Sequence, residues 1–401
     1  MPRHTTDASR PRPAPGLASG LPPGRSKALA GLALVALGVL AWAGSALAWE
    51  TVKVMPTISV RETYDSNVNF MGKGDFETSA TPGVRVDVKQ ERMSGWVVAK
   101  GTAYKYLRLD DFDRVDQNYE AGIEVNATEK VTANIRGGIV ADHAFGSALD
   151  ETGEQAPRRA SRQVYSIKPS LSLSLNEANS LTLFHAFTKT EYDTKDYTDS
   201  LSNTLGGLWG HRLNERTQLL FQLSGSMTST PSATQDSVSG MAGFEYALAE
   251  TVKARVLGGA SSLRSKVDGQ DSRKATNYAA DTSLEWQLER LTTKAAYSRD
   301  MTLGITGEDL LRDKLSLNLA LRTTERLRLL LGGTMVLSEN TSSAQSAQKN
   351  RWMEISPGAS YQVGENSSLT LGYAYGSSED TLKDETKTRN RVYLDFSIAF
   401  P

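Results

Sequence analysis

The segment Ile167-Lys168-Pro169-Ser170-Leu171-Ser172-Leu173-Ser174-Leu175-Asn176-Glu177-Ala178-Asn179 decides how this chain is read. Ile167, Pro169, Leu171, Leu173 and Leu175 alternate with Lys168, Ser170, Ser172 and Ser174, and a β-strand turns that period of two into one apolar and one polar face. The run ends in a tight polar turn that holds a glutamate. The same device recurs from Glu50 onward, with turns at 89–92, 127–130, 213–216, 248–251, 288–290, 324–326 and 363–366, each with its own Glu. Longer hydrophilic connections separate them, near 65–77, 108–116, 144–161, 193–199, 229–235, 264–274, 301–309, 338–350 and 377–388. Short turns alternating with long ones make antiparallel hairpins whose two ends meet different environments.

Other strands repeat the pattern. Val84, Val86 and Val88 oppose Arg85, Asp87 and Lys89, and Leu315, Leu317, Leu319 and Leu321 oppose Lys314, Ser316, Asn318 and Arg322. About eighteen strands follow, centred near residues 58, 84, 100, 121, 137, 169, 186, 205, 222, 241, 257, 281, 296, 316, 332, 356, 372 and 394. A soluble sandwich would have sheet edges to blunt, whereas a membrane barrel must pair every backbone group and therefore close. Strands of roughly ten or more residues suit a tilted span. Tyr64, Tyr104, Tyr106, Tyr192, Tyr246, Trp286, Trp352, Tyr361, Tyr375 and Phe400 lie near strand ends, where girdle aromatics are expected. The predicted fold is all-β: a transmembrane antiparallel up-and-down barrel of eighteen strands, with short periplasmic turns and longer extracellular loops, in the outer membrane of a Gram-negative bacterium.

The start of the chain fits export. Arg25 and Lys27 precede an apolar stretch from Ala28 to Ala43, and Ala46-Leu47-Ala48 gives the small-x-small ending of a cleavage site. Residues 1–48 are therefore expected to be a signal peptide with a long n-region, and 49–401 the barrel. There is no cysteine, which excludes disulfides, thiolate metal sites and a lipidated N-terminal Cys. A formal net charge of -1 excludes a strongly basic nucleic-acid binder. The mean hydropathy of -0.38 is no obstacle, since only alternate residues of a barrel strand meet lipid.

The entry segment ISVRETYDSNVNF (58–70) followed by SATPGVRVDV (79–88) resembles the opening of Gram-negative outer-membrane β-barrel porins associated with exopolysaccharide or capsule loci. This resemblance implies a passage for secreted polysaccharide, working with a periplasmic polysaccharide export protein. The last strand, Val392 to Phe400, is similar to the signal read by the barrel assembly machinery, although Pro401 follows the aromatic residue. Outer-membrane lipid and lipopolysaccharide are further expected partners, and a monomer is the default.

Placing the polar face of each strand inward makes Arg61, Arg85, Arg136, Lys168, Lys253, Arg255, Lys314, Arg322, Arg328, Arg389 and Arg391 lumen-lining. Lys53, Lys89, Lys294 and Arg326 join them, against Asp87, Glu120, Glu124, Asp142, Glu245, Asp281, Glu285 and Asp395. Either the excess of cations draws anions through the bore, or the charges pair across strands and stiffen it. A diffusion porin, general or solute-specific, is the alternative to polysaccharide passage. Its constriction loop would be the connection from Phe145 to Ser161, with Asp150, Glu151, Glu154, Arg158 and Arg159, although sequence does not fix its direction. A structural or adhesive barrel is a third reading, disfavoured by the short loops.

No catalytic, cofactor-binding or metal site is expected. His143, His185 and His211 are the available bases, yet the sequence shows no nucleophile elbow, spaced Ser/His/acid set or zinc-binding His pair. The acidic run Asp110 to Asp116 lacks the Gly and closing Glu of a calcium loop and reads as a solvated loop.

Overall fold

The computed structural model describes residues 51–156, 158–267, 271–341, 349–381 and 384–400. The expected signal peptide, its cleavage site and Pro401 lie outside them. In chain order the strands are β1 (Thr51–Asp65), β2 (Asp75–Gln90), β3 (Met93–Tyr106), β4 (Arg114–Thr128), β5 (Val131–His143) and β6 (Ser161–Ser174). Next come β7 (Asn179–Tyr192), β8 (Ser200–Arg212), β9 (Thr217–Ser229), β10 (Ala233–Ala249), β11 (Val252–Val267) and β12 (Arg273–Gln287). The last are β13 (Leu291–Leu303), β14 (Asp309–Arg322), β15 (Leu327–Asn340), β16 (Lys349–Gly364), β17 (Ser367–Asp380) and β18 (Glu385–Ala399). Among the described residues one α-helix, α1 (Ala144–Thr152), lies between β5 and β6.

Each strand pairs antiparallel with its neighbours in sequence, and β1 pairs with both β2 and β18, so the sheet of 18 strands closes on itself. Closure removes the edges that an open sheet would expose in lipid. The register shifts at Asn126/Thr128, Ala247/Ala249 and Gln362/Gly364 all fall at short-turn ends, where a bulge bends the strand into the rim. Among the described residues no helix is long and apolar enough to cross a membrane; the strands do the crossing.

The two faces of the wall differ as the alternation requires. Leu205, Leu223 and Leu371 stand 66%, 59% and 57% exposed on the outer face, a disposition that water penalises and hydrocarbon does not. Cross-strand partners share a face, so register carries the assignment around the barrel. Arg61 is level with Asp395, Arg85 with Met55, Arg136 with Lys168, Arg255 with Glu245, Lys253 with Glu285, Lys314 with Val336, Arg322 with Arg328, Arg389 with Gly376 and Arg391 with Ala374. Immediately beside them in sequence stand the exposed Val60, Val84, Ile135, Ile167, Val256, Leu315, Leu321, Leu329 and Val392. The cations therefore occupy the face opposite the apolar rows.

Four of the expected girdle aromatics do not stand in a girdle. Tyr64, Tyr246, Trp286 and Tyr361 are exposed on the outer face, but Tyr104, Tyr106, Tyr192 and Trp352 line interior cavities. Strand-end position does not decide the face of an aromatic; parity with neighbouring polar residues such as Arg114 and Glu354 does.

Candidate constriction site

The longest connection of the barrel, residues 144–160, does not extend outward from the rim but folds across the bore. Its helix starts directly after His143 and buries Ala144, Ala148 and Leu149 on one side, an i, i+4, i+5 pattern. It stops at Gly153, whose φ of 75° is left-handed and whose N–H donates to the Leu149 carbonyl at 3.0 Å. Only glycine takes that backbone without penalty, and the far-wall Val336 lies in contact distance of where a Cβ would project.

What α1 meets shows how far it reaches. Trp352 on β16 donates its indole N–H to Asp150 at 3.0 Å. From β14, Arg312 donates to the Glu151 carbonyl and Lys314 to the Asp150 carbonyl, both at 2.7 Å. These are orphan carbonyls of the last helical turn, where cations also complement the helix dipole. In a ring of eighteen, β14 stands nine strands from β5 in either direction, so the connection crosses the full diameter.

Both ends of the crossing are clamped. Leu149 packs with Phe70, Val336 and Trp352, and the Phe70 and Trp352 rings meet edge-on at 5.9 Å. Ala144, Ala148, Ala156 and Ala160 form a second small core with Tyr197 and Ile305, from the 193–199 and 304–308 connections. Glu151 turns back to Arg162 on β6 at 2.7 Å, and Arg162 also holds Asp142 through two bonds of 2.9 Å. Glu154 accepts the Ile305 N–H at 2.9 Å. Burial, together with the nearby Glu308 carboxylate, raises the Glu154 pKa to about 8. Burial likewise raises that of Asp150, partly offset by its bond to Trp352. Arg158 pairs with Asp196 at 3.1 Å, and Arg159 donates to the Asp113 carbonyl at 2.7 Å.

The crossing divides the bore. On one side a cavity of about 530 Å³ opens against β1–β5 and β16–β18. Its guanidiniums are held by carboxylates: Arg61 by Asp395 at 3.0 Å, Arg114 by Asp116 at 3.3 Å, and Arg391 by Glu354 at 2.5 Å. Arg389 is nearly buried, 3.6 Å from Glu354, and lies over the Phe70 and Trp352 rings. On the other side a cavity of about 300 Å³ is walled by Thr190, Ser200, Ser202, Thr204, Ser226, Thr228 and Ser237, and its only charged lining residues are the mutually paired Glu151 and Arg162. Toward the short-turn end, Arg136 lies level with Lys168 and Arg322 with Arg328, and none of the four forms an ion pair among the described residues.

The structure brings together one Ser/His/acid set that spacing in sequence does not reveal. His143 Nδ1 is 2.9 Å from Asp116 Oδ1, and its Nε2 is 3.4 Å from Ser161 Oγ. Ser161 does not line the adjoining cavity, and Arg159 Nη2 sits 3.5 Å from the same Nε2, so the ring is hemmed in on that side as well. This set braces the root of α1. The acidic run is likewise engaged: Asp113 takes Lys105 and the Tyr106 N–H, and Asp116 takes His143 and Arg114. Among the described residues no group of three or more His, Asp or Glu gathers as a metal site.

A closed barrel with an apolar exterior and a polar interior has no stable place in water; this chain is an outer-membrane β-barrel protein of a Gram-negative bacterium. No family model and no curated protein matches its sequence. Among solved structures it is similar to the copper transporter OprC, with a TM-score of 0.46 and 11% identity over 85% of this chain, of which it spans 63% of the length. It is similar to OprD of Pseudomonas aeruginosa, with a TM-score of 0.45 and 12% identity over 87% of this chain and 96% of that one. OccAB2 of Acinetobacter baumannii gives a TM-score of 0.43 and 11% identity over 88% and 99%.

Proposed function

We propose that this barrel is a passive diffusion porin for small, preferentially anionic solutes, with residues 144–160 as its constriction. The observation that carries the proposal is the crossing from β5 to β14, fixed by Trp352, Arg312 and Lys314. A polymer in transit needs one wide bore, whereas a clamped crossing splits the interior into two cavities of a size suited to compact molecules. The sign of the preference is supported by the opposed cations Arg136/Lys168 and Arg322/Arg328. Like charges directly opposite on a sheet repel, and anions entering from solution relieve them. In this reading the carboxylate-paired guanidiniums hold the wall and loop in place.

In planar bilayers under a salt gradient, the reversal potential should show anion preference; clear cation preference would reject this sign. Deletion of the gene, followed by parallel assays of small-solute uptake and surface polysaccharide, separates the two functions. Lost uptake with normal surface polysaccharide supports the porin. Lost polysaccharide with normal uptake would restore export, together with a periplasmic export protein as the partner to seek.

A further inference from the structure

Beyond the apolar band, the outer wall sets cations beside acids in several sectors. Lys105 pairs with Asp113, Lys189 with Glu191 at 2.6 Å, and Lys349 with Glu339 at 3.6 Å. On β11 and β12 the pattern breaks. Arg264 and Lys274 occupy directly opposed positions in the register, and Lys266 stands two residues farther out on the same face. All three are exposed, and none forms an ion pair among the described residues. They share strand parity with the outward Val256 and Tyr278, and among the described residues the acid level with them is Asp236 on β10, opposite Arg264.

Their height on the wall is informative. From Trp286, at the short-turn end of β12, to Lys274 is twelve residues on one face. At about 3.3 Å per residue and a tilt near 40°, that is about 30 Å along the membrane normal, just past an apolar band of about 25 Å. The cations thus emerge where the headgroups of the outer leaflet begin, on strands about 4.8 Å apart, close enough for two side chains to converge on one anion. A guanidinium fork and an ammonium together suit phosphate oxygens.

We propose that Arg264, Lys266 and Lys274 form a binding site for the phosphate groups of the phosphorylated glycolipid of the outer leaflet. The site lies outside the bore and does not depend on what passes through it. The test uses the full-length protein in detergent, incubated with bisphosphorylated lipid A or its dephosphorylated form and analysed by native mass spectrometry. The protein should retain the phosphorylated lipid, and Arg264→Ala/Lys274→Ala should lower retention about tenfold, the equivalent of one lost charge-assisted contact. The charge-preserving Arg264→Lys/Lys274→Arg exchange should retain it, which separates loss of the site from misfolding, and Lys105→Ala at a paired position should change nothing. Equal retention by the double alanine variant, equal retention of the dephosphorylated lipid, or displacement by millimolar inorganic phosphate would overturn the proposal, the last by making this a site for free anions.

Discussion

The two sides of the bore solve the same problem, a satisfied polar wall around an open cavity, by opposite chemistry. Beside β1–β5 and β16–β18 the wall is built from guanidiniums and carboxylates at 2.5–3.3 Å, braced by the Trp352 and Tyr104 rings. Beside β7–β10 it is built from hydroxyls that bond one another, Thr228 to Ser202 at 3.0 Å and Ser226 with Ser237 at 2.7 Å. Charged pairs can hold a loop against a wall, because each is strong and directional when desolvated. Hydroxyl pairs cannot, but they rotate freely between donor and acceptor roles and present a uniform surface. The crossing helix accordingly takes its electrostatic anchors from Arg162, Arg312 and Lys314, and leaves the hydroxyl surface open to the bore.

The most drastic way to break this contrast is to remove the divider. Replacing residues 145–159 by a short Gly/Ser turn should merge the two cavities and raise single-channel conductance several-fold, because the helix and its clamps no longer occupy the diameter. An unchanged conductance would mean that α1 does not limit flow. Next in size is the effect of the deep cations. Arg136→Gln with Lys168→Gln removes two like charges that face each other on the inner wall, and should bring the anion/cation permeability ratio most of the way to unity while conductance changes less. Reversal potentials across a salt gradient report it.

Much of this architecture was legible in the chain. Alternation in segments such as 167–175 located the strands, because one buried face on a pleated sheet leaves a period-two trace. What the sequence withheld was every contact across the bore: Asp150 and Trp352 are 202 residues apart, and neither carries a local signal of the other. The helix itself left a trace, in Ala144, Ala148 and Leu149 followed by Gly153, but a hydrophilic segment between strands reads first as a loop. Trp352 was misread as a girdle residue since its position near a strand end outweighed its parity with Glu354. The Asp116–His143–Ser161 cluster is likewise invisible in spacing, because the pairing of β4, β5 and β6 assembles it.

Between the halves, the anchors can be tested one at a time. Trp352 is 1% exposed, meets the Phe70 ring edge-on and donates to Asp150, so Trp352→Ala opens a cavity and strands a buried carboxylate. A cost of about 3–5 kcal/mol is usual for such a truncation. It should lower the thermal midpoint of the barrel and add flicker to the single-channel current as α1 undocks. The acid latch should give a smaller, pH-dependent version of the same loosening. Glu154 has its pKa raised to about 8 by burial and by Glu308. A docked loop therefore keeps a proton that an undocked one releases. Docking is strongest below the ordinary glutamate range, weakens as pH climbs through the interval up to about 8, and is flat beyond it. Current noise should rise across that interval in the native protein and stay level in Glu154→Gln, which also retains the acceptor for the Ile305 N–H.

The smallest expected effect falls on the hydroxyl side, and it sharpens the comparison most. Thr228→Val is nearly isosteric and removes the hydroxyl that donates to Ser202, at a cost of about 1 kcal/mol or less because Ser202 faces water in the bore. No charge changes, so the reversal potential should stay put. Swelling rates of proteoliposomes in uncharged sugars should fall by about twofold, since a solute sliding along this wall loses one exchangeable partner of roughly 0.5 kcal/mol. The same substitution at Thr63 or Thr81, on the charged side, should leave neutral sugars unaffected. Equal slowing from both sides would mean that uncharged solutes do not distinguish the two passages, and that the helix divides the bore in shape but not in chemistry.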